Sequence, residues 1–158
     1  MKQSQLYSQI FIYILTIVLV SFILVYGYTA VKNFKERADQ VSCLKFKNDM
    51  QNAIASVSSD FGTVKRKDLS ICGKYTKACF VESFTEPDLP YETDPIIMDS
   101  VRSGSGKNVF LVEDIAKESF YAGNISVDPD VLCIRAVGGK ISLRLEGKGN
   151  HAVLSEWG

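Results

Sequence analysis

Four cysteines, Cys43, Cys72, Cys79 and Cys133, are the residues best placed to do chemistry in this chain. Thiols serve as metal ligands, nucleophiles or disulfide partners. A zinc site is disfavoured, because no two cysteines have the two-residue spacing of a structural site and the one histidine is His151. His151 is also the one imidazole base available, and no motif places a nucleophile beside it. An even cysteine count in a small domain favours disulfides. The stretch CGKYTKAC brackets a turn between two strand-like runs, so the spacing predicts Cys72–Cys79 across a hairpin. Cys43 and Cys133 are then the second pair, tying a helix to a sheet. Spacing does not fix connectivity, and four buried thiols are the plain alternative.

Other fragments resemble motifs without completing them. GSGKN at 104–108 has Val101 where a phosphate-binding loop needs glycine, and Lys107 is followed by Asn rather than Ser or Thr. GKGNHA leads into another strand-like run, so no helix N-terminus faces a phosphate there. Between Lys77 and Arg102 stand six acids and no base: Glu82, Glu86, Asp88, Glu92, Asp94 and Asp99. Carboxylates in that number can satisfy a hard cation, but the spacing fits no known cation loop, and the run reads as a solvated acidic surface. A basic block, Lys65, Arg66, Lys67, Lys74 and Lys77, precedes it. The two patches are complementary in charge, and they could meet between neighbouring copies, pair within one head or have no role. No catalytic residue, cofactor or metal ligand is assigned, and the chain is read as noncatalytic.

The elements that position these residues begin with a stretch free of charge. From Gln3 to Val31 there is no Asp, Glu, Lys or Arg. A span needs roughly 20 apolar residues, and in lipid only a helix satisfies its own backbone. Tyr7, Tyr13, Tyr26 and Tyr28 flank the run, where interfacial aromatics sit. A secretory signal has a shorter apolar core and a small-residue cleavage site, so the segment is expected to be retained. Beyond it, Phe34, Ala38, Val41, Leu44, Met50, Ile54, Val57 and Phe61 recur mostly in steps of three and four, the mark of a helix with one buried face. No proline precedes Pro87, and Gly62 suits a helix stop. One continuous helix from about residue 5 to residue 59 is expected.

After Gly62 the pattern becomes short and β-like. The expected strands are 69–72, 78–83, 108–112, 119–127, 132–137, 140–146 and 152–157. Ile141, Leu143 and Leu145 alternate with polar residues, a half-buried strand, and Gly138-Gly139 reads as a two-residue hairpin turn. Residues 84–107 hold three of the four prolines and read as a long loop. The expected fold is α+β. A long N-terminal helix, transmembrane in its first half and amphipathic in its second, packs on a small antiparallel head of about five to seven strands. The divisions are a polar leader at 1–8, a span at 9–30, its amphipathic continuation at 31–60 and the head at 61–158.

Orientation draws on opposed signals. Lys2 lies on one side of the span and Lys32, Lys35 and Arg37 on the other, so the positive-inside rule alone leaves the head in the cytoplasm. The cysteines, and a glycosylation sequon at Asn124-Ile125-Ser126, favour an external head, which is the orientation adopted.

This layout resembles that of type IV pilins and their archaeal relatives. In archaeal prepilins a base and a small residue precede a Gln, and a dedicated peptidase cuts before it. Here Ser8 and Gln9 stand at the head of the apolar run, with Tyr7 where the base would be. The early Glu of bacterial pilins is missing. SQIFIYIL and ISLRLEGKG also resemble stretches of a set of archaeal single-span membrane proteins of unassigned activity. The resemblance implies a cell-surface structural or filament subunit whose partners are the lipid bilayer and copies of itself through the N-terminal helix. The balanced charge, 18 basic against 18 acidic residues, argues against nucleic acid as a partner. The other readings are an accessory subunit of a membrane secretion or transport complex, and a tethered enzyme.

Overall fold

The computed structural model describes residues 3–83, 93–128 and 130–157, with side chains from residue 10 onward. The chain divides into two compact units, Met1–Ala38 and Asp39–Gly158.

Helix α1 runs Gln3–Ser58 without interruption. Its apolar stretch is long enough to cross a membrane, and its side chains from Ile10 to Tyr28 are exposed. Thr16, Ser21 and Thr29 turn their hydroxyls back onto carbonyls three or four residues earlier, which hides their polar groups within the helix.

The head is built from β1 (Val64–Ser70), β2 (Lys77–Val81), α2 (Pro95–Arg102), β3 (Val109–Val112), β4 (Ala116–Phe120), β5 (Ile125–Val127), β6 (Val131–Arg135), β7 (Lys140–Gly147) and β8 (Ala152–Glu156). Among the described residues, eight strands form two sheets rather than one. The first has the order β1-β7-β8-β5 and the second β4-β3-β2-β6. All pairs are antiparallel except β5 with β8.

The main core joins both sheets to the last turns of α1. Phe46, Met50, Ile54 and Val57 of the helix meet Leu69, Ile141, Leu143, Leu145 and Leu154 of the first sheet and Phe80, Leu111 and Ile134 of the second. The buried stripe of α1 is shorter than its sequence pattern. Phe34, Ala38, Val41, Leu44 and Phe61 are exposed, because the core reaches the helix only from Cys43 onward and Phe61 lies beyond its end.

A second, smaller core lies on the other face of the second sheet. Cys79, Val81, Phe110 and Val112 pack there against Ile97 of α2 and Ala116. That sheet is therefore covered on both faces, which is why β2 and β3 read as continuous apolar runs. The first sheet keeps one face in solvent, and β7 alternates accordingly.

Helix α2 corrects the loop expected over 84–107; residues 84–92 of that stretch lie outside the described residues. Asp94 caps the helix, its Oδ1 accepting from Ile96 N at 2.9 Å, and Pro95 follows with φ already suited to a first turn. The Asp94 Oδ2 also accepts from Ala116 N at 2.8 Å, so one carboxylate joins α2 to β4. Asp94→Ala should cost the head about 1–2 kcal/mol, read as a lowered denaturation midpoint.

Three strand expectations also change. The expected strand 119–127 is two strands, β4 and β5, in different sheets. The first strand lies at Val64–Ser70 instead of 69–72, where charges at Lys65, Arg66 and Lys67 mask an edge strand. Lys65 and Lys67 are paired with Leu145 and Leu143, so they stand on the core side of an edge, an arrangement that deters pairing with another sheet. Gly138 and Gly139, with φ of 58° and 74°, do make a tight turn, closed by Val137 and Lys140 donating to each other's carbonyls. The strands it joins part at once into different sheets, so the hairpin is one rung long.

Candidate functional site

The cysteines are all paired, as Cys43–Cys72 and Cys79–Cys133. Both expected pairings are wrong, and the cause is the two-sheet architecture. β1 and β2 belong to different sheets, so CGKYTKAC does not bracket a hairpin. Cys72 faces the main core, whereas Cys79 faces the smaller one. Cys79 is instead directly opposite Cys133 on the neighbouring strand, with Cα atoms 4.0 Å apart. The helix is tied to the head, but through Cys72, just beyond the end of the first strand at Ser70.

The acids of the 78–101 run that can be seen do separate jobs. Glu82 accepts from Val127 N at 2.9 Å, Asp94 caps α2, and Asp99 is exposed on α2. Glu86, Asp88 and Glu92 lie outside the described residues. The basic block is likewise divided, Lys65 to Lys67 on β1 and Lys77 on β2. His151 sits in the bend between β7 and β8, its Nδ1 2.6 Å from Asn150 Oδ1. Asn124 of the sequon is exposed, and its Oδ1 accepts from Tyr121 Oη at 2.5 Å. Ser8 and Gln9 lie within α1, and their side chains are outside the described residues.

Asn108, the last residue of GSGKN, is a buried polar side chain whose amide is fully used. Its Nδ2 donates to Gly123 O at 2.6 Å and Ser83 Oγ at 2.8 Å, and its Oδ1 accepts from Ala122 N at 2.9 Å. The residue pins the link between β4 and β5 rather than binding phosphate. Asn108→Ala leaves three groups without this partner, of which Ala122 N is the buried one, and should lower stability by about 2 kcal/mol, with faster hydrogen exchange at Ala122.

Tyr75 is buried beside the Cys43–Cys72 bridge. Burial first, then the Glu118 carboxylate, push its phenol up to about 12. The unfolded phenol ionises near 10, so between about 10 and 12 the unfolded state holds fewer protons and stability falls as pH rises; below that window the group has no effect. Alkaline titration by tyrosinate absorbance should show one phenol ionising near 12, absent from Tyr75→Phe.

The arrangement that composition and spacing did not reveal lies on the exposed face of the first sheet. Register sets Asp68 against Ser142 and Arg66 against Arg144. Ser142 Oγ donates to Asp68 Oδ1 at 2.6 Å, and Arg66 Nε donates to the same oxygen at 3.1 Å. The Ser142 hydroxyl, then Arg66, hold the Asp68 carboxyl below its usual range. Trp157 N donates to Ser142 O at 3.3 Å, which seats the indole beside this pair. The Arg66 guanidinium lies 5.5 Å from the indole centroid. Arg135 from the end of β6 and Lys140 from the start of β7 complete a cleft of about 400 Å³. Its residues come from β1 and from β6, β7 and the end of β8, about 70 residues further along the chain, and the lone tryptophan is its one sequence signal.

Comparison with protein-family models, with curated proteins and with solved structures gives no match.

Proposed function

We propose that the chain is a noncatalytic, single-span envelope protein of pilin-like build, with residues 9–30 in the bilayer and the head on the extracytoplasmic side. The observation that carries this reading is the charge-free stretch of α1. Every side chain from Ile10 to Tyr28 is exposed, including Phe11, Ile17, Ile23 and Leu24, an apolar surface that water does not tolerate at this size. The two disulfides support an oxidising compartment for the head. In this reading the head is a surface module, and copies associate through the apolar helix as subunits of a filament.

Gentle detergent extraction of native membranes followed by electron microscopy tests the assembly. Filaments of this chain are expected. A discrete particle of fixed composition would replace the filament reading with that of an accessory subunit of a membrane complex. Intact mass of the extracted chain tests the processing. A chain beginning at Gln9 is expected, and one beginning at Met1 or Lys2 contradicts a prepilin.

A further inference from the structure

The cleft over Trp157 has an unusual balance of groups. Its one broad apolar surface is the indole, with Val137 exposed at the adjoining turn. Beside the indole sits a hydroxyl–carboxylate pair held in place, Ser142 and Asp68. Arg66 is already committed to Asp68. Arg135 and Lys140 make no salt bridge among the described residues, and Glu156 is the one other acid in the lining. The cleft thus offers an aromatic plane partly overlain by Arg66, two fixed acceptors in Asp68 Oδ2 and Ser142 Oγ, and two cations outside any salt bridge, of which Lys140 acts on Asp68 through space.

We propose that this cleft binds an acidic saccharide, a pyranose unit bearing a carboxylate. The apolar face of the sugar covers the part of the indole that Arg66 leaves open, the ring hydroxyls donate to Asp68 Oδ2 and Ser142 Oγ, and the carboxylate goes to Arg135 and Lys140. Charge-assisted bonds from a guanidinium to a carboxylate are the strong ones, and Arg135 supplies a planar fork for it. A peptide is the poorer fit. Among the described residues the apolar groups beside the indole are the buried Ile134 and the exposed Val137, too few to pocket a side-chain anchor, whereas a sugar needs what the cleft has, closely spaced polar groups beside an apolar plane. The inference rests on the head alone and stands whether or not the chain forms filaments.

The test uses the full-length chain in detergent micelles, titrated with galacturonate oligomers and followed by tryptophan emission. Trp157 is the one tryptophan, so the signal reports this cleft. A saturable change is expected, with a neutral glucose oligomer of equal length binding at least about tenfold more weakly. The double variant Arg135→Glu/Lys140→Glu should lose about tenfold or more in affinity, with circular dichroism unchanged. No saturable response, equal binding of the neutral oligomer, or unaltered binding by a folded double variant overturns the proposal. Equal or tighter binding of polyglutamate overturns it in favour of an acidic peptide. If the double variant does not fold, the acidic-against-neutral comparison on the native chain decides alone.

Discussion

Gly147→Val should leave the head unfolded or destabilised by about 4 kcal/mol or more, the largest single-residue effect expected in the chain. A Cβ at this position would fall within the van der Waals radii of the Val57 and Asp60 carbonyl oxygens. These are backbone atoms at the end of α1, and they are not free to yield. Gly62 N donates to Gly147 O at 2.8 Å and Gly147 N to Thr63 O at 2.9 Å, so the strand end is bonded to the segment that leaves the helix. Moving β7 away to admit a side chain would also withdraw Leu145 from the core against Val57. Gly147→Ala should show the same defect in milder form, since overpacking scales with the volume inserted. Thermal denaturation followed by Trp157 emission measures both. Wild-type stability in Gly147→Val would mean that the helix end does not lie on this strand.

The second large effect is expected from the paired replacement Cys79→Ala/Cys133→Ala. The bridge closes a loop of sequence separation 54, and the chain-entropy account gives about 4 kcal/mol for a loop of that size. The two strands are already paired by the ladder, so the native geometry should survive while the unfolded chain gains freedom. Denaturant titration should therefore show a lower midpoint without loss of β structure. A midpoint within error of wild type would show that the unfolded state is restrained by other means.

What the sequence made legible was what local patterning determines. The α1 helix shows in 56 residues without proline, and β7 in strict alternation, because each pattern is read within one element. What it hid was set by distant partners. Phe80 and Leu111 face one core while Cys79 and Phe110 face another, and nothing in FVE or NVFLV says that a second layer, α2, covers the outer side. The cysteine pairing fails for that same reason. The Asp94 cap, Pro95 and the apolar pair Ile97 and Val101 do signal helix α2, but three prolines within 84–107 give the stretch the pattern of a loop. The cleft over Trp157 draws on Arg66, Arg135, Lys140 and Ser142, whose proximity exists only after the sheets form.

The proposed span and its proposed orientation carry the functional reading, and here the charges and the cysteines disagree. Lys32, Lys35 and Arg37 would hold their side of the membrane inward, while two disulfides require an oxidising side. Lys65, Lys67, Lys107 and Lys140 are exposed on the head and serve as reporters. Intact cells producing the chain should be treated with a membrane-impermeant amine-reactive label, and the modified lysines mapped by mass spectrometry in the membrane fraction. With the head outside the cell, these four residues should be labelled before the cells are opened. Labelling that appears only after permeabilisation, or recovery of the full chain from the soluble fraction, would contradict it.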